Sequence, residues 1–285
     1  MIGAGRLAAF AALPGYGGPV STSRHEGSGA PCWVSLLTRD LASAQRFYGA
    51  VLGWSFRRPG RGEGFSLAYR DGAPVAGIGA YAEKLSLRAA WTPYFAVPDA
   101  DVAAARIRER GATVAVGPLS FGGGRAAMAA DPAGAVFGLW QGRVLPGWRV
   151  GRGPAPAWLE LRTRDAFAAA IFYGEVLDWA GEPPGGCVTA AYEQDHVVLR
   201  HGADTVARIS GGAVGEDPDP QIRPRWHVHF RVPDLEEAVR AALDAGGRVA
   251  SPVETSATGR WVTLGDPENA LFTVLAPRRT APGAG

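Results

Sequence analysis

Two cysteines in 285 residues are too few to build a scaffold on, and Cys32 and Cys187 do not occupy matching places in the internal repeat described below. That mismatch argues against a shared metal or redox role. Both read as small buried side chains of a reducing compartment, which makes the cytoplasm the expected location. Charge of one sign is equally scarce. The net charge is +2 and the basic residues are scattered, with no basic stripe interleaved with aromatics, so no nucleic-acid partner is expected. No apolar run approaches the length of a membrane span, and no membrane partner is expected. What remains, 47% hydrophobic and 20% charged residues, is an ordinary globular composition in a chain long enough for two domains. Residues 1–30, rich in Gly, Ala and Ser, read as a flexible tail whose faintly signal-like start is broken by glycines and lacks a clear cleavage site. Residues 278–285 read as a frayed end.

One stretch occurs twice. Residues 33–54 read WVSLLTRDLASAQRFYGAVLGW and residues 158–179 read WLELRTRDAFAAAIFYGEVLDW, in gapless register at an offset of 125 (172 − 47). Such a self-match means two copies of one structural unit in one chain. Each copy opens with a short, largely apolar strand. An aspartate, Asp40 or Asp165, is then placed to cap a helix whose apolar residues recur at helical spacing. The helix stops near Gly53, where a left-handed residue is cheap; Asp178 holds the equivalent place.

In chain order, strands are expected over Phe65–Tyr69 and Val75–Ala80 with a hairpin at Asp71-Gly72. A second module follows: strand Trp91–Val97, capping Asp99, helix Ala100–Arg110, a stop at Gly111, then strands around Thr113–Val116, Arg125–Ala130 and Ala135–Trp140. The run Phe121 to Arg125 has no helix behind it, so it reads as a mobile hairpin tip rather than a phosphate loop. Residues 226–249 repeat 91–114 at an offset of 135, so ten residues (135 − 125) are inserted between Trp179 and Trp226, with Gly215–Pro224 the expected place.

The D-x6-FY-x3-L-x-W signature, present at Asp40–Trp54 and again at Asp165–Trp179, and the aspartate-proline turns at Asp131 and Asp266 resemble the vicinal oxygen chelate superfamily. That superfamily includes glyoxalase I, extradiol dioxygenases and bleomycin-resistance proteins. The closest resemblance is to its two-domain members in actinobacterial genomes, some of them in aromatic polyketide antibiotic clusters. The resemblance implies an α+β fold of tandem glyoxalase-like domains, each made of two βαβββ modules curled into a half-open barrel. The domains would be residues 31–143 and 157–277, joined by a linker at 144–156. It also implies where a metal would sit: a His seven residues before each capping Asp and a Glu in the last strand of each module. Those places hold Trp33, Thr92, Trp158 and His227, then Gly138 and Thr273, and the strands Val75–Ala80 and Val206–Ser210 contain no carboxylate. About three convergent ligands are needed, so no metal and no other cofactor is expected.

If the ligand positions face inward, strand parity puts Trp33, Ser35, Thr92, Tyr94, Gly138 and Trp140 in the first cavity, an aromatic and nearly uncharged box. The second cavity receives Trp158, Glu160, Arg162, His227, His229, Arg231 and Thr273. Trp33 and Trp158 fit two roles, a plug or a stacking face for a ligand. His227 and His229 fit two as well, ordinary strand histidines or general bases oriented by Glu160. Glu160, Arg162 and Arg231 could form a closed salt-bridge network instead. The favoured function is metal-independent binding of a planar aromatic small molecule, of polyketide or antibiotic type, by Trp33, Ser35, Thr92, Tyr94, Trp140, Trp158 and Arg162, with the ligand in the first domain. The alternative is a cofactor-free enzyme acting through His227, His229 and Glu160, and a third reading is a scaffold with both cavities plugged. The matching apolar markers predict that the two domains pack on each other, in a pseudo-dimeric monomer or a homodimer.

Overall fold

The computed structural model describes residues 28–58, 64–85, 87–121, 124–179, 188–193, 196–212, 223–256 and 259–277. The expectations for residues 1–27 and 278–285, for Cys187 and for the tip at 122–123 lie outside the described residues. In the first domain, β1 (Pro31–Leu37), α1 (Leu41–Leu52), β2 (Ser55–Arg57), β3 (Phe65–Arg70) and β4 (Ala73–Gly79) form one module. A one-turn helix, α2 (Ala82–Leu85), leads to the next: β5 (Ala90–Ala96), α3 (Ala100–Glu109), β6 (Thr113–Phe121), β7 (Gly124–Ala130) and β8 (Val136–Gln141). The second domain repeats this as β9 (Trp158–Arg162), α4 (Ala166–Leu177), β10 (Val188–Glu193), β11 (His196–His201) and β12 (Asp204–Ser210). Its second module is β13 (Arg225–Arg231), α5 (Leu235–Asp244), β14 (Arg248–Val249), β15 (Glu254–Thr255), β16 (Arg260–Gly265) and β17 (Leu271–Ala276).

Each domain is one curved mixed sheet. The order is β2-β3-β4-β1-β5-β8-β7-β6 in the first and β10-β11-β12-β9-β13-β17-β16-β14 in the second, with β15 beside β16. The two modules of a domain meet where their opening strands pair antiparallel, β1 with β5 and β9 with β13. The helices cover one side of each sheet and leave the other side concave.

The local signals behave as their chemistry dictates. The Asp40 carboxylate accepts from Ala42 and Ser43 N–H at the start of α1, and Asp165 accepts from Ala168 N–H at the start of α4. Gly53 closes α1 at φ 68°, and Asp178 takes the same left-handed conformation at φ 59°, which costs a residue with a Cβ about 1 kcal/mol. Asp71 and Gly72, both at positive φ, make the tight β3–β4 turn. One placement is corrected. Ser35 faces Gly77 in the first sheet and Glu160 faces Arg208 in the second, so the offset is already 131 (208 − 77) at β12. β11 carries the same offset (198 − 67), so six of the ten inserted residues precede it and only four, not the ten expected at Gly215–Pro224, fall between β12 and β13, where residues 213–222 lie outside the described residues.

The repeated signature is where the domains meet. Tyr48 donates to Asp266 of the other domain at 3.1 Å and accepts from Trp91 Nε1 at 3.0 Å; Tyr173 donates to Asp131 at 3.1 Å and accepts from Trp226 Nε1 at 3.0 Å. Phe47 meets Phe272 edge-on at 5.9 Å, and Phe172 meets Phe137 at 6.1 Å. Trp54 and Trp91 both touch Phe230, and Trp179 and Trp226 both touch Phe95. The two sets are related by a pseudo-twofold axis, and the expected domain packing is present. Some contacts break the symmetry, and Glu268 makes the most extensive of them at a helix entrance. Glu268 accepts from Thr38 Oγ1 at 2.6 Å and from Arg39 and Asp40 N–H, whereas its counterpart in the first domain is Ala133. Among the described residues, no helix is long and apolar enough to cross a membrane.

Candidate functional site

The concave face of the first domain is filled by its own side chains. Trp33, Tyr94, Trp140 and Met128 lie buried in one apolar cluster with Phe65, Leu67 and Tyr81. Trp33 is 0% exposed, and Trp148, from the segment read as a linker, packs against it at 5.5 Å while donating to Val75 O at 3.0 Å. A ligand stacked on Trp33 would need Trp148 to move. The glycines explain the fit. A Cβ on Gly138 would meet the Tyr94 ring at 2.2 Å, and a Cβ on Gly124 would meet Trp140 at 2.4 Å. Ser35 and Thr92 stand opposite each other at the module joint, both buried.

The same positions of the second domain carry charge. Glu160 pairs across the joint with His227, and Trp158 with His229. Glu160 accepts from Arg162 Nε at 3.2 Å and from Ser210 Oγ at 3.1 Å. His229 Nε2 lies 3.3 Å from Glu160 Oε2, but neither ring nitrogen of His229 has a well-formed hydrogen bond among the described residues. Burial alone would raise the Glu160 pKa; His229, Arg162 and His227 outweigh it and hold the carboxyl well below the usual range. Burial drives both imidazoles the other way. His227 is pushed well below its ordinary value, with Arg225 and Arg162 adding to the effect, and His229 is lowered despite Glu160. At neutral pH the cluster is an ionised carboxylate beside two neutral imidazoles.

Arginines frame this cluster. Arg225 Nε donates to His227 Nε2 at 2.6 Å, which fixes that nitrogen as the acceptor. The Arg208 guanidinium sits over Trp158 at 5.6 Å, and Trp158 stacks on His229 at 4.7 Å, giving a three-layer stack that ends in exposed Arg208. Arg208, Ser210 and Arg225 were missed in the reading of the sequence, although the alternation in RWHVHFR puts Arg225, His227 and His229 on one side. Arg231 is a correction. It was expected beside Glu160, but β13 runs past the end of β9, and Arg231 Nη2 donates to Gly151 O at 2.9 Å instead.

Neither face suits the superfamily's metal. In the first domain the Tyr94 ring fills the space a side chain at Gly138 would need, and in the second Arg225 already takes the His227 lone pair that a cation would use, while Arg162 and Ser210 bind Glu160. Among the described residues no three His, Cys, Asp or Glu side chains converge on one point.

A family model of the glyoxalase-like domain matches twice, over residues 33–140 and 158–275. The chain belongs to the glyoxalase-like family. CFP32 of Mycobacterium bovis, provisionally named a glyoxylase, is 33% identical over 257 residues, which cover 87% of this chain and 95% of its own. The anthracycline biosynthesis protein DauV of Streptomyces sp. strain C5 is 33% identical over 275 residues, covering 90% and 96%. The Mn(II)-bound glyoxalase from Novosphingobium aromaticivorans matches 88% of this chain and 82% of its own with a TM-score of 0.54 at 16% identity, a likeness of fold alone. The tandem glyoxalase-like arrangement, the α+β class and the kinship with a protein of antibiotic biosynthesis, all implied by the resemblance, hold.

Proposed function

We propose that this glyoxalase-like chain binds a planar, acidic aromatic molecule of the polyketide type without a metal, on the concave face of its second domain. The observation that carries the reading is the exposed Arg208 guanidinium over the Trp158 indole, beside the pair that Arg162 makes with Glu160. A phenolate or carboxylate would meet the Arg208 guanidinium as the aromatic ring displaces it from the indole face. The similarity to DauV supports this ligand class, and in the same reading the protein works in the cytoplasm. The test is titration of a hydroxyanthraquinone, followed by tryptophan quenching and paired with elemental analysis. Binding should survive chelator and weaken several-fold in both Trp158→Ala and Arg208→Gln. One equivalent of metal whose removal abolishes binding, or two variants that bind as tightly as the parent, would overturn it.

A second reading is favoured by His229, a neutral imidazole next to an ionised carboxylate, with both ring nitrogens lacking a well-formed bond among the described residues. Such a group can take a proton from an activated carbon or a phenol, and Glu160 would stabilise the imidazolium formed. Deuterium wash-in at the central carbon of an aromatic 1,3-diketone, lost in His229→Asn, would identify the chain as an enzyme; exchange at the same rate in that variant would exclude this base.

A further inference from the structure

The pseudo-twofold axis creates two equivalent seams, each between the end of one domain's central strand and a hairpin of the other domain, with the 147–154 segment running past both. At one seam β13 ends in Phe230 and Arg231 near the β3–β4 turn at Arg70 and Asp71, and only about 260 Å³ remains open. This seam is laced shut. Arg231 Nη2 donates to Gly151 O at 2.9 Å, and Arg70 Nη1 donates to Arg231 O at 2.8 Å. At the other seam β5 ends in Ala96, the counterpart of Arg231, near His201 at the end of β11, and a cleft of about 620 Å³ is left. One backbone arrangement thus occurs twice, closed by an arginine once and open once.

The open seam has the make-up of a small-molecule site. Its volume lies within the range of about 300–1,000 Å³ usual for ligand pockets. Its lining combines apolar Pro31, Cys32, Ala96, Leu145 and Trp148 with Arg149 and His201. Arg152, also at the rim, is held by Asp204 at 2.7 Å, but among the described residues no carboxylate pairs with Arg149. The Cys32 thiol donates to Tyr94 O at 3.4 Å and burial keeps it protonated, so it contributes a surface and not a nucleophile.

We infer that the open seam is a second ligand site, distinct from the concave faces, for a flat apolar molecule carrying one anionic group that Arg149 receives. The apolar lining takes the ring system, and the guanidinium supplies the charge-assisted contact that fixes its orientation. His201 agrees with this arrangement: burial first and then Arg149 lower its pKa, so the pocket holds a neutral imidazole able to donate to the anion beside that guanidinium.

The test uses 2-naphthoate and its neutral counterpart 2-naphthylmethanol, titrated calorimetrically into the full chain. Naphthoate should bind with at least tenfold preference over the alcohol. Ala96→Arg, which copies the closed seam, should cost tenfold or more, and Arg149→Gln should remove the preference for the anion while leaving alcohol binding unchanged. The second variant sits at the partly exposed rim and keeps the proposal testable if Ala96→Arg fails to fold. Arg208→Gln, which impairs only the concave-face site, should leave the tenfold effects of both seam variants in place. Naphthoate that does not bind at all, or that is lost in Arg208→Gln but indifferent to the seam variants, overturns the seam site; the second of these outcomes leaves the concave-face function standing.

Discussion

The two domains share a backbone and an interface, but their concave faces carry opposite chemistry. In the first, Ser35, Gly77 and Gly138 are small, and the space they leave is taken by Trp33, Tyr94, Trp140 and the Trp148 that folds back over them. In the second, the same three places hold Glu160, Arg208 and Thr273, and the face stays polar and partly open. Where the copies touch each other the residues are matched pairs: Tyr48 with Tyr173, Trp91 with Trp226, Asp131 with Asp266. Identity between the copies therefore marks the seam that holds the chain together, and difference marks the faces free to take on chemistry. One face has become core and the other has kept ionisable groups.

The largest effect that would sharpen this contrast is on stability. Trp33 is fully buried and Trp158 only partly so. Trp33→Ala should cost about 3–5 kcal/mol, as large-to-small changes of aromatic core residues do, whereas Trp158→Ala should cost about 1 kcal/mol. Trp33→Phe should be much milder than Trp33→Ala, because Trp33 Nε1 has no hydrogen-bond partner among the described residues to lose. Urea denaturation of the three variants checks the order. Equal costs for Trp33→Ala and Trp158→Ala would mean that the first face is not a core.

Acid should also separate the domains. His227 and His229 have lowered pKa values in the folded protein, so the unfolded chain takes up protons first as pH falls through about 6.5, and stability drops. Glu160 stays ionised in the fold, and the unfolded chain again binds the proton first, so a further loss begins below about pH 4.3. Asp131 and Asp266, raised by burial, have the opposite sign, since the fold takes up their protons before the unfolded chain does. His227→Asn should therefore flatten the fall in melting temperature between pH 7 and 5. Thr92→Val, at the matching place in the first domain, should leave the slope unchanged. A parental profile in the histidine variant would mean that His227 is not buried neutral.

Much of this was legible in the residues, for a physical reason. Capping aspartates, helical spacing and a glycine at a helix end act within a few positions, so α1, α3, α4 and α5 fall where their local chemistry puts them. Strand parity likewise brings Trp33, Tyr94 and Trp140 to one face and Glu160, His227 and His229 to another. What escaped depends on neighbours distant in sequence. Trp148 lies in a Gly- and Pro-rich stretch with no periodicity, and only tertiary packing makes it a plug. Arg208 matters because β12 lies parallel to β9, a pairing that its own sequence does not specify. The offset of 135 already pairs Ala96 with Arg231, but that these strand ends border a cleft shows only in the folded chain.

The smallest effect concerns an interface contact that the copies do not share. Glu268 of the second domain binds three donors of the first at the entrance to α1, Thr38 Oγ1 and the Arg39 and Asp40 N–H groups. A carboxylate there satisfies backbone donors and faces the positive end of the helix dipole. Glu268→Ala should cost about 1 kcal/mol, the size of a lost cap. Ala133 holds the equivalent place in the first domain and is exposed, and the pseudo-twofold axis matches the α1 entrance to that of α4, which Asp165 caps. Ala133→Glu should consequently build the missing contact and raise stability by about 0.5–1 kcal/mol, measured by denaturant midpoint at low and high salt. If the pseudo-twofold axis relates the two entrances as closely as it relates Tyr48 to Tyr173, the isosteric but uncharged Ala133→Gln should show no such gain. An equal gain in Ala133→Gln would come from packing and would break the correspondence between the domains at this point.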